Sequence, residues 1–84
     1  MSYSVFILPR AKKEFSALPK PEYEKVKQAM LALDTNPRPA NCSKLTGRDG
    51  WRIRVGNYRL IYTIDDKARI VTVLHIGHRR DVYR

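Results

Sequence analysis

The sequence predicts an α+β fold in the order β-α-α-β-β-β. An N-terminal strand leads to a helical hairpin, and a three-stranded antiparallel meander then completes one small sheet. Three observations predict it. Ser2 to Leu8 is rich in β-branched and aromatic residues. Two stretches with apolar residues at helical spacing follow, divided at Pro19-Lys20-Pro21. From Trp51 onward the period drops to two, broken at Gly56-Asn57 and at Asp65-Asp66-Lys67-Ala68. A chain of 84 residues, 43% hydrophobic, suffices for one domain over 1–84 with one modest core.

In the first strand Tyr3, Val5 and Ile7 share one face while Phe6 and Leu8 share the other. Apolar residues on both faces predict a strand well inside the sheet or covered by helices. Pro9 suits the first turn of a helix, and Ala11, Phe15 and Leu18 mark its inward stripe, with Lys12, Lys13 and Glu14 outward. In the second helix Tyr23, Val26, Met30 and Leu33 recur at the same spacing, a pattern explained by core packing. Asn36-Pro37-Arg38-Pro39 ends that helix, because a residue before proline is pushed out of the α region. A polar loop then runs to Gly50.

Gly-Asn between two alternating runs reads as a two-residue hairpin turn. Its register sets Val55 opposite Tyr58, Ile53 opposite Leu60 and Trp51 opposite Tyr62 on an apolar face. On the other face it sets Arg54 opposite Arg59, with Arg52 two residues along. Like charges directly opposite one another repel, so the register predicts an anion at this place, and arginine forks suit phosphate. The last strand, Arg69 to Ile76, follows a turn whose aspartates read as turn residues rather than metal ligands. Gly77 frees the backbone before the tail His78-Arg79-Arg80-Asp81-Val82-Tyr83-Arg84.

Formal net charge is +9, and residues 44–84 carry +6 of it, mostly as arginine. That balance favours a polyanionic partner. The lone Cys42 excludes an internal disulfide and fits a reducing cytoplasm. No apolar run approaches the ~18 residues of a membrane span, and no signal peptide is evident at the start. The expected location is cytoplasmic, with no membrane partner.

Neighbouring strands usually pair, so the tail is expected to fold back towards the arginine face. Tyr83 would then stand among cations, which stabilise phenolate and lower a phenol's pKa from its ordinary ~10. If the anion is an RNA phosphodiester, such a tyrosine can take the proton of a ribose 2′-hydroxyl, which attacks the adjacent phosphate. Arg52, Arg54 and Arg59 would stabilise the charge that develops there. Arg79 and His78 are both candidates for the group that protonates the leaving 5′-oxygen. Lys44, Arg48, His78 and Arg80 are candidate RNA contacts. The scheme requires no metal and no cofactor. Lysines on the helices read as solvated surface, and His75 as structural.

The pattern Lys44-Leu45-x-Gly47, Trp51-Arg52-Ile53-Arg54, Gly56-Asn57-Tyr58-Arg59-Leu60-Ile61-Tyr62 and Gly77-His78-Arg79-Arg80-Asp81-Val82-Tyr83 resembles the RelE toxins of bacterial toxin–antitoxin systems over nearly the whole chain. The resemblance implies an mRNA interferase that cleaves messages in the ribosomal A site. It also implies inhibition by a cognate antitoxin protein, and contact with operator DNA only through that antitoxin. By position, Arg52, Arg54 and Arg59 match phosphate-holding residues of the family, Arg79 the acid or charge stabiliser, and Tyr83 the base. Two features differ: arginines stand at 52 and 54 where the best-studied member has lysines, and the Arg79–Tyr83 interval is shorter. The alternatives are a ParE-like inhibitor of DNA gyrase and a nucleic-acid-binding module without catalysis. An extended, acidic-to-amphipathic antitoxin is expected to wrap the domain, blocking the arginine face or displacing the tail.

Overall fold

The computed structural model describes residues 2–78. In chain order these form β1 (Ser4–Ile7), α1 (Pro9–Ser16), α2 (Lys20–Ala32), β2 (Cys42–Lys44), β3 (Trp51–Val55), β4 (Tyr58–Asp65) and β5 (Ile70–His78). The five strands make one mixed sheet in the order β1-β5-β4-β3-β2. β1 runs parallel to β5, and every other neighbouring pair is antiparallel. The predicted order therefore holds, with one short strand, β2, added at the edge from within the polar loop.

β1 departs from its expected position: it lies at the sheet edge, not inside it. Its two apolar faces have different fates. Tyr3, Val5 and Ile7 pack against the core, whereas Phe6 is 55% and Leu8 41% exposed. Doubly apolar strands are usually covered on both faces; here nothing among the described residues covers the Phe6 side.

The helices lie on the other side of the sheet from the arginines. Ala11, Val26, Met30 and Leu33 meet Ile53, Leu60, Tyr62, Val71, Val73 and Ile76 in one buried cluster. Each valine, leucine, isoleucine or methionine among them contributes roughly 1.5–3 kcal/mol by leaving water. Phe15 stacks on Tyr23 at 4.2 Å between centroids, joining α1 to α2. Pro9 occupies the first turn of α1, as its missing N–H allows.

The β3–β4 hairpin has the predicted register at all five pairs, Trp51↔Tyr62 through Val55↔Tyr58. Gly56 takes φ +60° and Asn57 does not enter the left-handed region, as a II′-type two-residue turn requires. Between β4 and β5 the register slips at Ile61/Tyr62, where Ile61 pairs with His75 but Tyr62 with Val73. The additional residue, Leu74, packs with Ile61 and Leu45 in a second small cluster. Leu45 reaches it because its N–H donates to the Gly50 carbonyl at 3.0 Å, folding the 45–50 loop over the sheet.

Glu14 closes the part of β5 that β1 does not reach. β1 pairs with β5 only as far as Val73. Beyond that, the Ile76 N–H donates to Glu14 Oε1 at 2.9 Å, and His75 Nδ1 lies within 2.8 Å of both carboxylate oxygens. A side chain thus replaces a missing strand partner, and His75 has the structural role expected of it.

Candidate active site

Strand alternation puts Arg52, Arg54 and Arg59 on one side of the sheet, away from the helices. Arg54 and Arg59 are direct cross-strand partners. The three line a concave site of about 260 Å³ together with Asn41 and Ser43. Arg59, expected on an exposed face, is only 5% accessible. Its β5 partner is Gly77, which has no side chain of its own to place beside it. Burying a guanidinium is expensive, and a like charge directly opposite adds some tenths of a kcal/mol, up to about 1.

Asn41 and Ser43 were read as loop and missed as site residues. The available signal was the alternation polar-apolar-polar over Asn41-Cys42-Ser43, too short to distinguish a strand from a loop. In the fold Ser43 pairs with Arg52 and shares its face, while Cys42 pairs with Ile53 towards the core.

The other predicted residues are placed elsewhere. Lys44 closes β2, with Nζ 5.4 Å from the centre of the Trp51 ring, which Arg38 also approaches at 5.1 Å. Lys44 lines a separate notch of about 580 Å³ where β3 begins, and does not line the arginine site. Arg48 is exposed on the 45–50 loop. His78 pairs with Tyr58, and the two rings meet edge to face at 5.6 Å. Tyr58 alternates with Arg59, so His78 turns to the face opposite the arginines. Arg79, Arg80 and Tyr83 lie outside the described residues.

Electrostatics separate the two concavities. The notch sets Arg38, Lys44 and Lys67 against Asp49, Asp65 and Asp66. Within it Arg38 grips Asp66 through two bonds of 2.8 and 3.1 Å, and Tyr3 donates to the same carboxylate at 2.7 Å. The Arg38 guanidinium, with Tyr3 second, holds the Asp66 carboxyl down at about 2, and the carboxylate raises the Tyr3 phenol in turn. Asp65 accepts the Ala68 N–H at 3.0 Å, a turn role as predicted. Charges of both signs cancel here. The smaller site has three arginines and no carboxylate among its described lining residues. Tyr62, although near the hairpin, is no base: burial pushes its phenol up, and it donates to the Pro37 carbonyl at 2.7 Å.

Among the described residues no helix is long and apolar enough to cross a membrane. Residues 5–83 match the family model described as the ParE toxin of the type II toxin–antitoxin system, parDE. The toxin RelG of Mycobacterium tuberculosis is 31% identical over 87 residues, an alignment covering all of this chain and 99% of RelG. Among solved structures, the archaeal RelE–RelB complex from Pyrococcus horikoshii contains a chain that superposes with a TM-score of 0.85 at 30% identity, covering 98% of this chain and 100% of that one. The isolated RelE toxin of Escherichia coli superposes with a TM-score of 0.81 at 30% identity, covering 98% and 92%. With a family model matched almost end to end, and a relative at this identity aligned over its full length, the chain belongs to the RelE/ParE superfamily of type II toxin–antitoxin toxins.

Proposed function

We propose that this toxin is a ribosome-dependent endoribonuclease that cleaves mRNA in the A site without a metal. The observation that carries the proposal is the concave site in which Arg52, Arg54 and Arg59 converge. Guanidinium forks match the geometry of a phosphodiester and donate to its oxygens without themselves losing protons.

In the reaction, Tyr83 takes the proton of the ribose 2′-hydroxyl. The 2′-oxygen forms a bond to phosphorus as the bond from phosphorus to the 5′-oxygen breaks, leaving a 2′,3′-cyclic phosphate. The three site arginines balance the charge that grows on the phosphoryl oxygens, a preorganised contribution worth about 10²–10³-fold in rate for one donor. The departing 5′-oxygen takes its proton from solvent, and Arg79 stabilises the charge on it. The position of His78 beside Tyr58, on the face opposite the arginines, argues against His78 as the acid.

The partner is an antitoxin protein, a reading supported by structural relatives determined as RelE–RelB complexes. Its docking surface on this chain is the β1 edge. A groove of about 380 Å³ opens there, lined by Tyr3, Val5, Ile7, Phe15, Met30 and Leu31 with Lys27 and Asp34, and Leu31 is 57% exposed. The net charge of +9 suits an acidic partner.

The test is primer extension on a translated message after induction, comparing the intact protein with Arg54→Ala. Codon-phased breaks that vanish in the variant are expected. The ParE description of the matching family model supports a second reading, inhibition of DNA gyrase. Altered plasmid supercoiling with intact messages would establish that reading instead.

A further inference from the structure

The arginine site has a wall that phosphate alone does not explain. Guanidinium groups only donate hydrogen bonds, and an ionised phosphate only accepts them. Arg52, Arg54 and Arg59 therefore meet every need of the anion. Yet Ser43 of the edge strand and Asn41 just before it also line the site, and both side chains can accept as well as donate. That acceptor capacity lets the same wall serve a ligand that brings a donor beside its phosphate.

The spacing is consistent with such a ligand. Strands lie about 5 Å apart, and the site spans three of them: Arg59 on β4, Arg52 and Arg54 on β3, and Ser43 on β2. A phosphate held between β4 and β3 leaves the next strand spacing for whatever is esterified to it. The volume of about 260 Å³ equals that of roughly eight waters at ~30 Å³ each, more than a phosphate group fills. Asn41 is also oriented. Its Nδ2 donates to the Arg54 carbonyl at 3.4 Å, which leaves the amide oxygen as the acceptor. The backbone pairing of Ser43 with Arg52 puts its side chain on the arginine face.

We infer that Asn41 and Ser43 form a nucleoside-recognising wall, which hydrogen-bonds the sugar hydroxyl or base edge attached to the phosphate that the arginines hold. The inference rests on the ribonuclease reading and extends it. The arginines would bind any phosphate ester, whereas the wall makes the site select a ribonucleotide.

The test titrates the full-length chain, observed by NMR amide shifts, with three probes: inorganic phosphate, ribonucleoside 3′-monophosphates of each base, and their 2′-deoxy counterparts. In the intact protein the ribonucleotide should bind more tightly than phosphate. Asn41→Ala and Ser43→Ala should each reduce that preference by about fivefold, the equivalent of one hydrogen bond to an uncharged partner, with phosphate affinity unchanged. Arg54→Ala should weaken all probes alike. A loss on wall substitution that is seen with the ribonucleotides and not with their 2′-deoxy counterparts identifies the sugar hydroxyl as the recognised group, and a loss that depends on the base in both series identifies the base edge; either supports the wall. A ribonucleotide preference that survives both wall substitutions overturns the inference and leaves the ribonuclease reading standing. So does equal binding of nucleotide and phosphate by the intact protein. If the intact protein binds none of the probes, the arginine site itself fails, and the wall fails with it.

Discussion

Arg54 and Arg59 face each other across the β3–β4 hairpin as direct partners, one exposed and the other almost fully buried. Two cations in that relationship work against the fold. Removing one should therefore help the free protein while harming its function, a trade-off typical of binding sites. Arg54→Gln is expected to raise stability by a few tenths of a kcal/mol and to lower message cleavage by about 10²-fold. Urea denaturation and codon-phased cleavage, measured on the same preparation, check both halves.

Glu14 serves two β5 groups at once, so its substitutions should separate. Glu14→Ala leaves the Ile76 N–H without its acceptor, a loss of about 1–3 kcal/mol. Glu14→Gln keeps a carbonyl oxygen and should recover much of that. Equal destabilisation by the two variants would show that the carboxylate's charge, not its acceptor geometry, matters at this edge.

The tie between Arg38, Tyr3 and Asp66 predicts an acid dependence. Asp66 is held at about 2 in the folded chain, below the ordinary carboxyl value of ~3.9. A depressed folded value means that the contribution is fully present above the ordinary value and is lost as pH falls through the folded one. Because the carboxylate is exposed, the effect is screened by solvent and salt. Asp66→Asn should therefore lower the denaturation midpoint at about pH 6 more than at about pH 2.5. A difference independent of pH would remove the tie as its cause.

Gly50 sits at φ +132°, and a Cβ there would lie 2.9 Å from Leu45 Cδ1 and 3.3 Å from the Tyr62 carbonyl. Gly50→Ala is expected to destabilise by about 1–3 kcal/mol and to loosen the loop that buries Leu45. Hydrogen exchange of the Leu45 amide, which bonds to Gly50, should accelerate in the variant.

Phe6 and Leu31 are large apolar residues left uncovered beside the β1 edge. Phe6→Asp or Leu31→Asp should weaken antitoxin capture at least tenfold and leave cleavage by the free toxin at its original level. Loss of cleavage with capture intact would move the antitoxin surface elsewhere.

The order of elements and the hairpin register could be read directly from the chain. Both depend on local chemistry: a proline in the first turn of α1, a two-residue Gly56-Asn57 turn, and alternation from Trp51 to Tyr62. Once that turn is fixed, the pairing of Arg54 with Arg59 follows with no knowledge of the rest of the molecule. The arginine face was legible for this reason.

Other features needed the whole fold. The three residues of β2 are too few to announce a strand, so Asn41 and Ser43 came beside the arginines only when that segment paired with β3. Whether β1 lies inside the sheet or at its edge depends on which strand accepts it, and the parallel pairing with β5 joins residues more than sixty positions apart. The slip at Ile61/Tyr62, the Glu14–His75 contact and the burial of Arg59 also arise between distant segments. The sequence by itself determined the turns, the helices and the side of the sheet on which its charges gather, because those follow from backbone sterics and periodicity. Tertiary structure alone decided how deeply Arg59 is buried, what stands beside it and where His78 points, because burial and proximity are properties of packed surfaces rather than of neighbouring residues.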